Sequence, residues 1–131
     1  MTYNTILVAK DNGLATITLN APDKLNAVSR KMIAELKQCW EELAADDGVR
    51  AVLLTGEGRG FCSGQELGPD VTPGPNGPPD LEALAGTYHH EVVRRIRASR
   101  LPFVAAVNGV AAGAGASFAL ACDIALAARS A

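Results

Sequence analysis

Strand-length apolar runs alternate with helix-length segments along this chain, and this alternation constrains the fold more than any other feature. Val49–Thr55 and Phe103–Val107 are apolar runs of strand length, and an amphipathic segment from Ser29 to Asp46 precedes the first of them. Parallel strands need a crossover connection, which is usually a helix. The alternation therefore predicts an α/β fold with a parallel sheet, and no internal repeat is apparent.

The N-terminal elements have clear local signals. Thr5–Lys10 and Leu14–Leu19 are rich in β-branched residues, and the Asp11-Asn12-Gly13 segment between them predicts a hairpin turn. Ser29 is a suitable N-cap for the helix that follows, and Gly48 is expected to end that helix. Its apolar positions fall on one face, which is expected to be buried: Met32, Ile33, Leu36, Cys39, Trp40 and Leu43.

The rest of the chain divides into loops and shorter elements. Gly56–Gly68 is predicted to be a glycine-rich loop, and residues 69–79 (PDVTPGPNGPP) form a segment so rich in Pro and Gly that a flexible loop is expected. The other predicted elements are a helix over Leu81–Ser99, a turn over Asn108–Gly113, a helix over Ala114–Cys122 and a strand over Asp123–Ala127.

Composition excludes several classes of protein. Twelve Lys and Arg against fourteen Asp and Glu residues leave a formal charge of −2, which disfavours a nucleic-acid partner. The three cysteines, Cys39, Cys62 and Cys122, are odd in number and lack metal-ligand spacing, so neither a disulfide framework nor a metal site is expected. The apolar stretch Leu101–Ala128 contains Pro, Asn, Gly and Asp and is interpreted as core, not as a membrane span. We expect a cytoplasmic protein without a signal peptide.

Two glycine-rich segments, Gly58–Leu67 and Val107–Ser117, follow predicted parallel strands. Ligands of open α/β sheets bind at the carboxyl ends of such strands. The first turn of the helix that begins at Ala114 has unpaired N–H groups, and one N–H from each segment would make an oxyanion hole. From spacing alone, tight turns and close packing are the favoured explanation of these glycines.

Other chemical motifs are incomplete. Gly113-Ala114-Gly115 begins like a dinucleotide-binding fingerprint, but Phe118 occupies the third glycine position. The residues around Ser117 are similar to a nucleophile elbow, but no histidine follows, so a serine hydrolase remains a weak alternative. His89 and His90 are adjacent on a predicted helix and are interpreted as surface histidines. The arginines of the same helix are interpreted as a solvated face or as helix C-terminal charges: Arg94, Arg95, Arg97 and Arg100.

A set of motifs resembles the enoyl-CoA hydratase/isomerase (crotonase) family, in the family's order and at its separations. The matching segments are Leu25–Val28, Leu53–Gly56 with Gly60–Leu67, Ala106–Gly115, and Cys122-Asp123. The resemblance covers the whole chain but only the N-terminal half of a family member. It implies a crotonase-like (ClpP/crotonase) spiral of ββα units, with residues 1–131 as the N-terminal part of a single domain. It also implies homotrimers or hexamers that are dimers of trimers.

The resemblance further implies an acyl-CoA thioester partner. Its carbonyl oxygen would lie between the backbone N–H groups of Gln65 and Ala114, which form the oxyanion hole. No separate cofactor is implied, because coenzyme A is part of the substrate. Arg30, Lys31 or Arg59 could meet CoA phosphates, but for each of them alone a solvated surface charge is the favoured interpretation. The other substrate-binding positions are Lys24, Leu25, Ala27, Ser63, Glu66, Leu67, Gly109 and Gly113.

The predicted type of reaction depends on one position at which this chain departs from the family pattern. Hydratases of the family carry their first catalytic glutamate where this chain has Ser117, which cannot act as a carboxylate base. Gly60–Leu67 together with Gly109–Ala116 is most similar to the ring-epoxide phenylacetyl-CoA isomerase subgroup. We therefore expect an isomerase whose single catalytic acid lies beyond residue 131, and not Glu66, Asp70 or Asp80. The alternatives are an enoyl-CoA hydratase and a non-catalytic CoA-binding fragment.

Overall fold

The structure is a computed structural model that describes residues 2–68, 71–83 and 89–131. Within these residues the elements follow a repeated ββα order. The first unit is β1 (Ile6–Asp11), β2 (Leu14–Leu19) and α1 (Arg30–Ala44), with a 3₁₀ turn at Pro22–Lys24. The second is β3 (Ala51–Gly56), β4 (Gly60–Cys62) and α2 (His89–Ala98). The third is β5 (Phe103–Val107), β6 (Val110–Ala111) and α3 (Ala114–Ala121), and β7 (Ile124–Ala127) follows it.

The predicted parallel sheet is confirmed. The main sheet has the order β1-β2-β3-β5-β7, in which only the β1–β2 hairpin is antiparallel. A second, two-stranded sheet pairs β4 with β6 in parallel. The prediction of loop and turn for these two segments was wrong, because strands of two or three residues are too short for a periodic pattern. A helix was predicted over Leu81–Ser99. Residues 81–83 and α2 are helical, and residues 84–88 lie outside the described residues.

Local sequence signals account for the first unit. Asn12 and Gly13 adopt positive φ angles of 49° and 86° in the hairpin turn, as that turn type requires. The Ser29 side chain accepts a hydrogen bond from the Met32 N–H (3.1 Å) and caps α1. All six residues predicted for the buried face of α1 are buried. The helix ends at Ala44, before Gly48 is reached.

Glu35 is a buried carboxylate that the apolar pattern did not reveal. It is only 8% exposed, and its oxygens accept hydrogen bonds from the backbone N–H groups of Asn4 and Thr5 and from the Thr5 hydroxyl (2.6 Å). Burial alone raises the pKa of this carboxyl, but the hydrogen bonds from Thr5 and Asn4 together outweigh it and lower the pKa. Glu35 therefore ties the start of β1 to α1.

We expect Glu35 to make stability depend on pH. Its pKa is lower in the folded chain than the ordinary 4.5, so its contribution is present above that value and is lost as the pH falls through the folded pKa. Glu35→Gln should cost about 1–3 kcal/mol at pH 7, because donors that faced a charged acceptor lose it. Urea unfolding from pH 3 to 7 measures both effects, and an equally steep pH dependence in the variant would contradict this role.

The arginines in α2 and just after it connect the helices. Arg95 forms ion pairs with Glu91 (2.7 Å) and with Glu41 of α1 (3.0 Å). Arg100 donates to the Ala44 carbonyl (2.7 Å), and Arg97 donates to the Ala121 carbonyl (3.4 Å). The last carbonyls of a helix carry partial negative charge. Arg95 and Arg97 lie in the last turn of α2, as predicted, and Arg100 and Arg97 also donate to the last carbonyls of α1 and α3.

The three cysteines lie in the interior, and none forms a disulfide. Burial, with a smaller contribution from Glu42, raises the pKa of Cys39 to about 11. Burial and the neighbouring Asp123 raise the pKa of Cys122 to about 11, and burial raises the pKa of Cys62. Among the described residues, no helix combines the length and apolarity that crossing a bilayer requires.

Candidate functional site

The two glycine-rich segments predicted to form a site meet at the β4–β6 pair. The Ala112 N–H donates to the Cys62 carbonyl (3.0 Å) across this small sheet. A Cβ added to Gly109 would lie 1.9 Å from the Arg59 oxygen, and one added to Gly115 would lie 2.1 Å from the Cys62 oxygen. Both distances are far below van der Waals contact, so glycine is required for the two segments to approach this closely.

Two asparagines, Asn26 and Asn108, bind the backbone of the first glycine-rich segment. The Asn26 side chain, which is fully buried, donates to the carbonyls of Glu57 (3.0 Å) and Gly60 (2.9 Å) and accepts from the Ala21 N–H (2.8 Å). The Asn108 side chain also donates to the Gly60 carbonyl (3.2 Å). The sequence motifs included both residues, but their role as clamps on this segment appears only in the structure.

Asn108 adds further bonds at the turn after β3. Its side-chain amide donates to the carbonyls of Gly56 (2.8 Å) and Gly58 (3.0 Å), and its oxygen accepts from the Gly56 N–H (3.1 Å). One side chain after β5 thus satisfies several backbone groups after β3. This arrangement fixes the two carboxyl strand ends relative to each other.

The segment Leu25–Val28 docks on the same loop. The Val28 N–H donates to the Gly64 carbonyl (2.7 Å), and the Glu66 N–H donates to the Val28 carbonyl (2.9 Å). These two bonds form a parallel β-bridge between Val28 and the loop, which uses the Gly64 carbonyl and the Glu66 N–H. The N–H of Gln65, the residue between Gly64 and Glu66, is therefore directed away from Val28.

The N–H groups of Gln65 and Ala114 lie on neighbouring loops. Ala114 is the first residue of α3, where a backbone N–H has no partner within the helix. A Cβ added to Gly64 would lie 3.7 Å from the Ala114 nitrogen, so the loops are in direct contact there. Within the part of the chain that the structure describes, neither N–H donates a hydrogen bond to a protein acceptor.

Two open depressions flank this contact. One has a volume of about 480 Å³, and every described residue that lines it is a predicted substrate-binding residue: Lys24, Ala27, Ser63, Gln65, Glu66 and Leu67. Lys24 and Glu66 form an ion pair here, and the Ser63 hydroxyl donates to the Lys24 carbonyl (3.1 Å). The other, of about 460 Å³, is lined by His89, His90, Val93, Ala114, Ser117, Leu120 and Ala121. The structure therefore brings most of the predicted site together around the two loops.

The remaining predicted residues lie outside the two linings. Gly109 is buried against the Arg59 backbone, where it serves close packing of the loops. Leu25 contacts the Gly60 position, and Gly113 is the N-cap of α3 with a φ of 54° that favours glycine. Arg30, Lys31 and Arg59 are exposed and line neither depression.

The interpretation of His89 as a surface histidine was wrong. Its ring is half-buried, its Nε2 contacts the Gln65 side-chain oxygen, and it packs edge-on against Phe118 at a centroid distance of 6.4 Å. Burial, and then the neighbouring His90, lower its pKa. Helical periodicity placed the two histidines on different faces but did not show which face met the loop. His90 is exposed, as predicted.

Ser117 does not have the partners of a hydrolytic nucleophile. Its side chain is exposed on α3, and its hydroxyl donates to the Gly113 carbonyl at 3.4 Å. His89 lines the same depression, but its Nε2 is engaged with Gln65. No bond in the described part of the chain joins Ser117 to a histidine, so the elbow motif lacks its general base.

Comparison with solved structures identifies the fold. The crystal structure of an enoyl-CoA hydratase from Bacillus anthracis matches with a TM-score of 0.87 and 28% sequence identity, over 98% of this chain and 49% of that one. The chain therefore has a crotonase-like α/β fold, with the ββα units described above. The enoyl-CoA hydratase/isomerase family matches residues 9–131, and the chain belongs to that family.

Two curated relatives show the range of the family near this sequence. The 1,2-epoxyphenylacetyl-CoA isomerase of Escherichia coli (strain K12) is 47% identical over 96% of this chain and 48% of its own length. A probable enoyl-CoA hydratase of Rhodobacter capsulatus is 43% identical over 100% of this chain and 49% of its own length. The chain thus spans about half the length of the curated relatives that it matches.

Proposed function

We propose that this chain supplies the oxyanion hole of an acyl-CoA isomerase. The thioester carbonyl oxygen would accept hydrogen bonds from the backbone N–H groups of Gln65 and Ala114. The observation that carries the proposal is a pair of N–H groups that have no acceptor among the described residues, on two loops in direct contact and next to open depressions on both sides. Such preorganised donors stabilise the negative oxygen of a thioester enolate as it forms.

The two depressions would bind different parts of the substrate. The depression lined by Lys24, Ser63 and Leu67 suits the pantetheine and adenine parts of coenzyme A, because it combines polar groups with an exposed apolar side chain. The depression beside Ala114 is lined by Val93 and Leu120 and suits an aromatic or alicyclic acyl group. The carbonyl oxygen would lie between them, at the two N–H groups.

An isomerase is favoured over a hydratase by the residue on α3. Ser117, in the first turn of α3, offers a hydroxyl where a two-carboxylate hydratase needs a base. We therefore propose an epoxide or enoyl acyl-CoA as substrate, with a single catalytic acid supplied from beyond residue 131. The identity to the Escherichia coli isomerase supports this choice, and the hydratase names among the relatives keep hydration as the alternative.

Ala114→Pro tests the oxyanion hole. Proline is well tolerated at the first position of a helix, and Gly113 before it has a φ of 54° and a ψ of −124°, the mirror image of a conformation allowed before proline. The substitution therefore removes one donor with little effect on the fold. We expect kcat to fall about 10²–10³-fold in steady-state assays of the complete protein with an epoxide or enoyl thioester.

The control is Ala114→Gly, which keeps the N–H and should lose far less activity. Circular dichroism and thermal unfolding show whether the proline variant keeps its fold. A folded Ala114→Pro protein with the wild-type kcat would rule out the oxyanion hole. Measuring hydration and isomerisation of the same thioesters separates the two candidate reactions.

The proposal extends to assembly and location. A homotrimer, or a hexamer made of two trimers, fits the family, and a cytoplasmic location fits three cysteines that are not paired in disulfides. A non-catalytic CoA-binding role would be supported instead if the complete protein binds acyl-CoA but turns over none of the thioesters.

A further inference from the structure

His89 connects the helix α2 to both parts of the proposed oxyanion hole. Its Nε2 contacts the Gln65 side-chain oxygen on the first loop, and its ring packs edge-on against Phe118 of α3, the helix that begins at Ala114. Phe118 is fully buried. A single half-buried side chain thus lies against the two elements whose relative position sets the distance between the two N–H groups.

The hydrogen bonds of Gln65 define which atom of His89 carries a proton. The Gln65 side-chain nitrogen donates to the Glu66 carbonyl (3.3 Å), so the side-chain oxygen faces His89. An amide oxygen only accepts hydrogen bonds, so His89 must donate from Nε2. That donor is present both in the neutral tautomer protonated at Nε2 and in the imidazolium ion.

We propose that His89 is a positioning residue that holds the Gln65 loop for the reaction. This inference rests on the proposed function, because it concerns the orientation of the Gln65 N–H. His89 acts through the Gln65 side chain: the bond to His89 and the bond from the side-chain nitrogen to the Glu66 carbonyl fix that side chain, and with it the Gln65 Cα that carries the donor N–H. Its role needs a proton on Nε2 and does not need proton transfer.

Kinetics of His89 variants in the complete protein test this role. We expect His89→Ala to lower kcat about tenfold with little change in KM, because small misplacement of a catalytic donor slows the chemical step. His89→Gln places an amide N–H near the position of Nε2 and should restore most of the rate across the pH range. If His89 were instead a general base, glutamine would not rescue it and a limb of the pH profile would disappear with the imidazole, and that result would overturn the proposal.

A double-mutant cycle tests the route through Gln65. Gln65→Met keeps the backbone N–H and the approximate side-chain volume but removes the acceptor. Its kcat should match that of His89→Ala, and the double variant should be no slower than either, since both remove the same contact. Fully multiplicative losses would contradict the route. Arg94→Ala, an exposed change on the same helix, is the control for α2 stability.

A spectroscopic measurement keeps this inference separate from the proposed function. Histidine ¹⁵N spectra of the complete protein should show His89 protonated at Nε2, and Gln65→Met should shift that signal. A ring protonated at Nδ1 alone would overturn the inference whatever the kinetics show. If Ala114→Pro abolishes turnover and His89→Ala does not change it, the oxyanion hole stands and the role of His89 fails. If Ala114→Pro has no effect, the proposed function itself fails.

Discussion

Gly115→Ala is expected to separate the two glycine-rich loops and to remove most activity. A Cβ at this position would lie 2.1 Å from the Cys62 oxygen and 2.8 Å from the Cys62 Cβ. The carbonyl is part of the β4–β6 pair and cannot move alone, because it accepts the Ala112 N–H. Relieving the overlap must move α3, and with it Ala114, away from the first loop. We expect kcat to fall at least 10³-fold, since both donors of the proposed hole lose their alignment.

Stability should also fall, by about 1–3 kcal/mol, as in other overpacked interiors. Helix propensity alone predicts the opposite, because alanine in a helix is favoured over glycine by about 1 kcal/mol. The sign of the change in the free energy of unfolding, measured in urea, therefore shows whether helix propensity or the close approach of the two loops dominates. Gly68→Ala is the matched control, since a Cβ there meets nothing within 4 Å. A Gly115→Ala protein that is more stable and fully active would refute the packing argument.

Asn26→Ala is expected to give the largest loss of stability. The substitution removes three hydrogen bonds: the part-buried Ala21 N–H and Glu57 carbonyl lose this partner, and the Gly60 carbonyl keeps its longer bond from Asn108 (3.2 Å). Each unsatisfied buried group costs about 1–3 kcal/mol. Asn26 also has a φ of 55°, a conformation that alanine adopts less readily than asparagine. We expect a loss of about 4 kcal/mol or more, measured by urea unfolding.

Two variants separate these contributions. Asn26→Gly relieves the backbone strain but still removes the side-chain bonds, so it should remain strongly destabilised. Asn12→Ala changes an exposed residue with a φ of 49° and should cost only about 1 kcal/mol, the price of the left-handed conformation. If Asn26→Ala cost no more than Asn12→Ala, the clamp on the first loop would have no energetic importance.

The main sheet and its helices were predictable because each has a local signal. The Asn12-Gly13 pair predicted the hairpin, the Ser29 cap and the apolar stripe predicted α1, and the run Phe103–Val107 predicted β5 with its observed bounds. These signals depend on residues close together in sequence. The parallel order of the strands then follows from the helices between them.

The site was predictable only in outline, because its precision comes from contacts between distant segments. Spacing placed the glycine-rich segments at strand ends but could not show that Gly109 and Gly115 admit a neighbouring carbonyl. Asn26 and Asn108 both belong to the sequence motifs. That their side chains donate to the same Gly60 carbonyl could not be predicted from the motifs, because the three residues come together only in the folded chain. His89 was misinterpreted for the same reason: its partner Gln65 lies on a different element.

The buried cysteines make the folded chain a poor target for oxidants. Thiolates, not thiols, react with peroxides and alkylating agents, and the raised pKa values of Cys39, Cys62 and Cys122 keep all three protonated at neutral pH. Each thiol becomes reactive only when the structure around it opens. The three positions therefore act as built-in reporters of local opening in α1, in the first loop and at the end of α3, where labelling rates would rank the regional stability of this fold.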